Sequence, residues 1–145
     1  HLSTQIITLL ILLTTWTSCN KCELDDDEMT VLRITSGINL ELDTVYGQLC
    51  LKSRTNKVYG YSGNYLQADV FQTGNNFDVV YKCIHKSKVG LMTMSPASHW
   101  LRFENIDYFD DINLTFRLKG IKYSGQIKNG ELTLKRQGGI KLKEI

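Results

Sequence analysis

Strict two-residue alternation constrains this chain more than any other feature. Ile112, Leu114, Phe116 and Leu118 interleave with Asn113, Thr115, Arg117 and Lys119. Successive side chains of an extended strand point to opposite faces, so this spacing makes one dry face and one wet one, which a 3.6-residue helical period cannot reproduce. Asn129-Gly130 then divides Ile121, Tyr123 and Ile127 from Leu132 and Leu134. Two residues that tolerate positive φ between alternating runs predict a β-hairpin. Gly138-Gly139 predicts a further reversal before Ile140 and Leu142 in a last strand.

The same pattern recurs upstream. Ile38, Leu40 and Leu42 alternate with Asn39, Glu41 and Asp43, and Val45, Gly47, Leu49 and Leu51 continue the pattern on a next stretch. Tyr65 to Gln72 and Phe77 to Ile84 flank Thr73-Gly74-Asn75-Asn76, which predicts a hairpin with Phe77, Val79, Tyr81 and Cys83 on one side. No amphipathic helix is readable after the first residues, and Asn105 to Asp111 predicts at most a single turn. Eight or so short strands predict an all-β domain: a small antiparallel barrel in up-and-down order, lipocalin-like in the loose sense. An immunoglobulin-like β-sandwich is the alternative, because Tyr81-Lys82-Cys83 has the Tyr-x-Cys spacing of a tyrosine corner with Cys50 upstream as its partner. Against it, no Trp follows Cys50 at core distance, and 62 residues follow Cys83.

The beginning of the chain bears on location instead of fold. Leu9 to Leu13 close an apolar run too short to span a bilayer, and a Thr-rich collar leads to Ser18 and Cys19. That is the form of an export signal, expected over residues 1–18, whose start would lie upstream because no basic region precedes the run. Thr17-Ser18-Cys19-Asn20-Lys21, followed by Asp25-Asp26-Asp27-Glu28, resembles the leader of bacterial surface lipoproteins. Trp16 stands where their lipobox has an aliphatic residue. The resemblance covers about 28 residues and implies that Cys19 becomes the acylated first residue, that 19–29 is an acidic tether, and that the chain reaches the outer membrane and cell surface. More than one acyl chain makes such anchoring stable. The rival is a soluble secreted protein in which Cys19 and Cys22 are ordinary disulfide partners.

With Cys19 acylated, Cys22, Cys50 and Cys83 remain, and the strand-like settings of Cys50 and Cys83 predict a bridge between those two, with Cys22 unpaired. No metal is expected, since Cys19-x-x-Cys22 has no second ligand pair to complete a tetrahedron. Residues 30–145 read as one domain, with 42% apolar and 22% charged residues and one proline in the whole chain. The net charge of +2 hides a segregation: residues 20–28 hold one Lys and five acids, whereas 29–145 hold 16 basic and 10 acidic residues. From Arg117 onward eight basic residues face only Glu131 and Glu144, at the alternate positions of wet strand faces, so no nucleic-acid partner is expected.

Catalytic groups are sparse. His85, among Lys82, Lys86 and Lys88, reads as a solvated loop residue, and His99 beside Trp100 is the one base worth weighing, with Asp107 or Asp110 as partner in a small hydrolase. Asp107, Asp110 and Asp111 lack the ligand order of a Ca²⁺ loop. No nucleophile elbow, HExxH or phosphate loop occurs, so no enzyme and no cofactor are predicted. The best binding candidates are Tyr59, Tyr61 and Tyr65, interleaved with Gly, Ser and Asn as in antibody loops, together with His99 and Trp100. The predicted function is a lipid-anchored cell-surface binding protein for a glycan or small apolar molecule. The alternative is a secreted disulfide-bonded β domain that binds a host or receptor protein.

Overall fold

A computed structural model describes Cys22, residues 29–106 and residues 110–143. The export segment 1–18, Cys19, most of the acidic tether and Asp107 lie outside the described residues. Ten strands follow one another among those described: β1 (Met29–Leu32), β2 (Ile38–Val45), β3 (Gln48–Tyr59), β4 (Tyr65–Thr73), β5 (Asn76–Ser87), β6 (Ser95–Arg102), β7 (Ile112–Leu118), β8 (Ile121–Lys128), β9 (Glu131–Leu134) and β10 (Ile140–Leu142). They form one sheet, ordered β10-β2-β3-β6-β4-β5-β7-β8-β9, with β1 added on β5. The sheet curls into a small, nearly closed barrel, with its seam between β9 and β10. A single continuous sheet, not two packed ones, answers the sandwich alternative.

The barrel is not up-and-down. β6 lies between β3 and β4, and the β4/β6, β5/β7 and β2/β10 neighbours are parallel. Short turns fix only the local hairpins, β2/β3, β4/β5, β7/β8 and β8/β9. Longer connections carry β6, β7 and β10 to edges that no turn signal names. At Asn129-Gly130 both residues have positive φ, 53° and 72°, as a type I′ hairpin requires. Tyr46-Gly47, at φ 52° and 76°, makes the same turn inside what reads as one alternating run from Val45 to Leu51. The Gly138-Gly139 reversal does not fold β10 back on β9. The Gly139 N–H donates to Tyr123 Oη at 3.0 Å, and β10 runs on beside β2.

Inward residues of all strands meet in one core. Ile38, Leu40, Leu51, Leu66, Ile84, Phe103, Phe116 and Ile127 are all fully buried. Phe77 meets Phe103 edge-on at 5.1 Å between centroids, and Tyr81 stacks over Phe116 at 6.3 Å. The buried Tyr81 hydroxyl shares a 2.7 Å hydrogen bond with Ser53 Oγ, so a phenol deep in the core has its partner. Its bond to a side chain of β3 is not the upstream backbone bond of a tyrosine corner.

A β-bulge reverses the expected facing of Cys83. Gln67 pairs with Cys83 and Ala68 with Tyr81, which leaves Lys82 as an extra residue on β5. Phe77, Val79 and Tyr81 face the core before the bulge and Ile84 after it, while Cys83 and His85 turn to the opposite face. The predicted Cys50–Cys83 bridge is therefore corrected. Cys83 is bonded to Cys22, with 6.2 Å between their Cα atoms, and Cys50 is a buried free thiol. β6 and β4 lie between β3 and β5, a separation of roughly 14 Å at the usual strand spacing, beyond the reach of a disulfide. Cys22 is thus not unpaired, and Met29 belongs to β1, so the predicted tether is tied to the barrel at two points.

Candidate functional site

The aromatic residues singled out by the sequence divide between two faces. Tyr65 opens β4, opposite His85 of β5 and Ser98 of β6. Its neighbour Leu66 fills the core, so alternation sends the Tyr65 ring outward, where it is 44% exposed. The ring stacks on the His85 imidazole at 4.3 Å with only 7° between planes. Trp100 lies two residues beyond Ser98 on β6, opposite in facing to buried Leu101, and is also 44% exposed. Lys52 of the neighbouring strand holds its ammonium 4.4 Å from the indole centroid, a cation–π contact. Tyr61, in the β3–β4 loop at φ 67°, has Lys86 Nζ 5.8 Å from its ring. Tyr61, Tyr65 and Trp100 are thus presented outside the barrel, each with a cationic or imidazole neighbour.

Tyr59 and His99 are placed differently. Tyr59 ends β3 buried, its hydroxyl without a hydrogen-bond partner among the described residues, and burial pushes its pKa up. His99 shares its facing with Ala97 and Leu101, and desolvation holds its pKa below the ordinary value of 6.5. Asp107, its first supposed partner, lies outside the described residues. No group of three His, Cys, Asp or Glu side chains among the described residues is placed to hold a metal.

His85 is buried on β5, which corrects its reading as a solvated loop residue. The bulge at Lys82 aligns it with Cys83 on one face. There its Nε2 donates to Gln67 Oε1 at 2.6 Å and lies 3.7 Å from Cys83 Sγ, beneath the Tyr65 ring. Nothing in the local sequence marks this, because the lysines around it take the other facing or the bulge itself.

Sequence reasoning also missed the segment between β5 and β6. Leu91 is 74% exposed and Met92 90%, with Val89 and Met94 exposed beside them. The segment is fastened to the β3–β4 loop: Ser62 N–H donates to Leu91 O at 3.0 Å, and Leu91 N–H to Ser62 Oγ at 3.2 Å. Asn64 clamps both sides, donating from Nδ2 to Tyr61 O and Ser95 Oγ, and accepting the Ser87 N–H at 2.8 Å. The joined loops form a held apolar crown, with a notch between Tyr61, Met92 and Met94. Its sequence signal is Val89-Gly90-Leu91-Met92, apolar where loop residues are ordinarily polar.

No helix among the described residues is long and apolar enough to cross a membrane. No protein-family model matches the chain, and neither a curated protein nor a solved structure is detectably similar to it.

Proposed function

We propose that this chain is a non-enzymatic binding protein, exported and held at the outer face of a bacterial outer membrane by acyl chains on Cys19. The observation that carries the reading is the distribution of sulfur. Cys22 is bonded to Cys83, which favours an oxidising compartment, and Cys50 is shut in the barrel wall. Cys19 is then the thiol left for acylation, and the rival in which Cys19 and Cys22 are each other's disulfide partners loses Cys22. The recognition surface is the outward row of Tyr61, Tyr65 and Trp100, whose flat rings and flanking lysines suit a glycan or a small apolar molecule.

Mass spectrometry of the mature protein tests the anchor: diacylglyceryl-Cys19 at the N-terminus is expected, and an unmodified terminus or a bonded Cys19 overturns it. Tyr65→Ala and Trp100→Ala test the surface, with weaker retention on a glycan array and nearly unchanged thermal unfolding as the expected pair of results. The exposed Leu91 and Met92 favour a second reading, a secreted domain that docks this crown on a host or receptor protein. Loss of such a partner in Leu91→Asp, with glycan retention intact, would select it.

A further inference from the structure

One edge of β5 is shared by two strands that do not meet. β7 pairs with it from Asn76 to Val80, and β1 from Ile84 to Ser87. Tyr81, Lys82 and Cys83 consequently have no strand partner on that edge among the described residues, and the bulge at Lys82 widens the interruption. The barrel wall has a window there. Into it opens a cleft of about 620 Å³, inside the roughly 300–1,000 Å³ range of small-molecule sites.

The lining of the cleft is lopsided in charge. Val31, Leu32, Ile34 and Leu118 supply an apolar floor and walls, and Arg33 and Lys119 stand on opposite sides, one after β1 and the other after β7. Among the described residues no Asp or Glu lines it. Lys82 is already engaged by Asp69 at 3.6 Å, whereas Arg33 and Lys119 make no ion pair among the described residues. Two uncommitted cations over a greasy floor favour a ligand with one anionic end and one alkyl body. The charge is stabilised at the solvated rim, and the chain replaces water over side chains that cannot hydrogen-bond it.

We propose that this cleft is a binding site for a single-chain anionic amphiphile, its carboxylate or phosphate between Arg33 and Lys119 and its alkyl chain over Ile34 and Leu118. The site is separate from the ring row of Tyr61, Tyr65 and Trp100, so either can fail without the other.

Titration calorimetry of the full, oxidised chain below micellar concentrations tests it, with dodecanoate, dodecyl phosphate and dodecyltrimethylammonium as probes. One-to-one binding of at least one anionic probe, without comparable binding of the cationic one, is expected. The two anions share a chain and differ in head, so they tell carboxylate from phosphate recognition. Arg33→Glu and Lys119→Glu, both at exposed positions, should each weaken that binding about tenfold, the scale of one charge-assisted contact. Tyr65→Ala should leave it unchanged, and thermal unfolding of each variant checks folding. Absence of binding by both anions, equal binding of the cation, or indifference to both charge reversals overturns the proposal.

Discussion

At the scale of single residues, the determining groups are polar ones placed among apolar neighbours. His99 is the clearest case for a measurable consequence. Burial disfavours its charged form, so in the folded barrel it binds a proton below the ordinary 6.5, whereas in the unfolded chain it does so near that value. Below about pH 6.5 the unfolded chain holds the extra proton, and the stability present at neutral pH falls until the folded pKa is passed. Urea midpoints at about pH 7.5 and about pH 5 should therefore differ more for the native protein than for His99→Gln. Equal differences would assign His99 to solvent. The Ser53–Tyr81 hydrogen bond is the opposite kind of case, a buried pair whose partners satisfy each other with no proton to exchange near neutrality.

At the scale of elements, the informative places are those where a strand departs from regularity. The extra residue at Lys82 changes which side chains of β5 face the core, and through that change selects Cys22 as the partner of Cys83. Gly125, in regularly paired β8, is informative for a close approach instead. A Cβ there would lie 2.9 Å from Leu134 Cδ2 and 3.0 Å from the Thr133 carbonyl oxygen of β9. The leucine can rotate, but the carbonyl is fixed by its strand, so β9 must move. Gly125→Ala is expected to lose about 1–3 kcal/mol, with faster amide exchange confined to Glu131–Leu134. A variant as stable as the parent would show that β9 is looser than its pairing with β8 implies.

At the scale of the whole molecule, the Cys22–Cys83 bond fixes how the N-terminal segment meets the barrel. It closes a sequence separation of 61 residues, and on the loop-entropy scale such a link stabilises by about 2–5 kcal/mol. Cys22→Ser should lower the denaturation free energy by that amount while the far-ultraviolet signature of the sheet persists. A loss of under about 0.5 kcal/mol would mean that β1 alone holds the segment. On the proposed anchoring, the bond also shortens the leash: three residues from Cys19 to Cys22 reach at most about 11 Å, where a free run to Met29 would reach about 35 Å. The barrel would then ride against the bilayer instead of swinging above it.

Alternation at Ile38–Leu42 and Ile112–Leu118, and turn chemistry at Gly74 and Asn129-Gly130, are local, and the sequence alone determined the all-β class, two of the four local hairpins and much of the core. The outward faces of Tyr65 and Trp100 obey the same period only once β4 and β6 are in place. Strand order did not follow, because β6 entering between β3 and β4, or β10 lying parallel to β2, depends on which distant edges remain free once the hairpins have formed. Cys83 and His85 were misplaced for a related reason: one bulged residue, set by pairing with β4, inverts the facing of all that follows it. Neighbours along the chain are written in the residues. Neighbours across the barrel, and with them the sulfur pairing, the crown and the cleft, exist only once the sheet has closed.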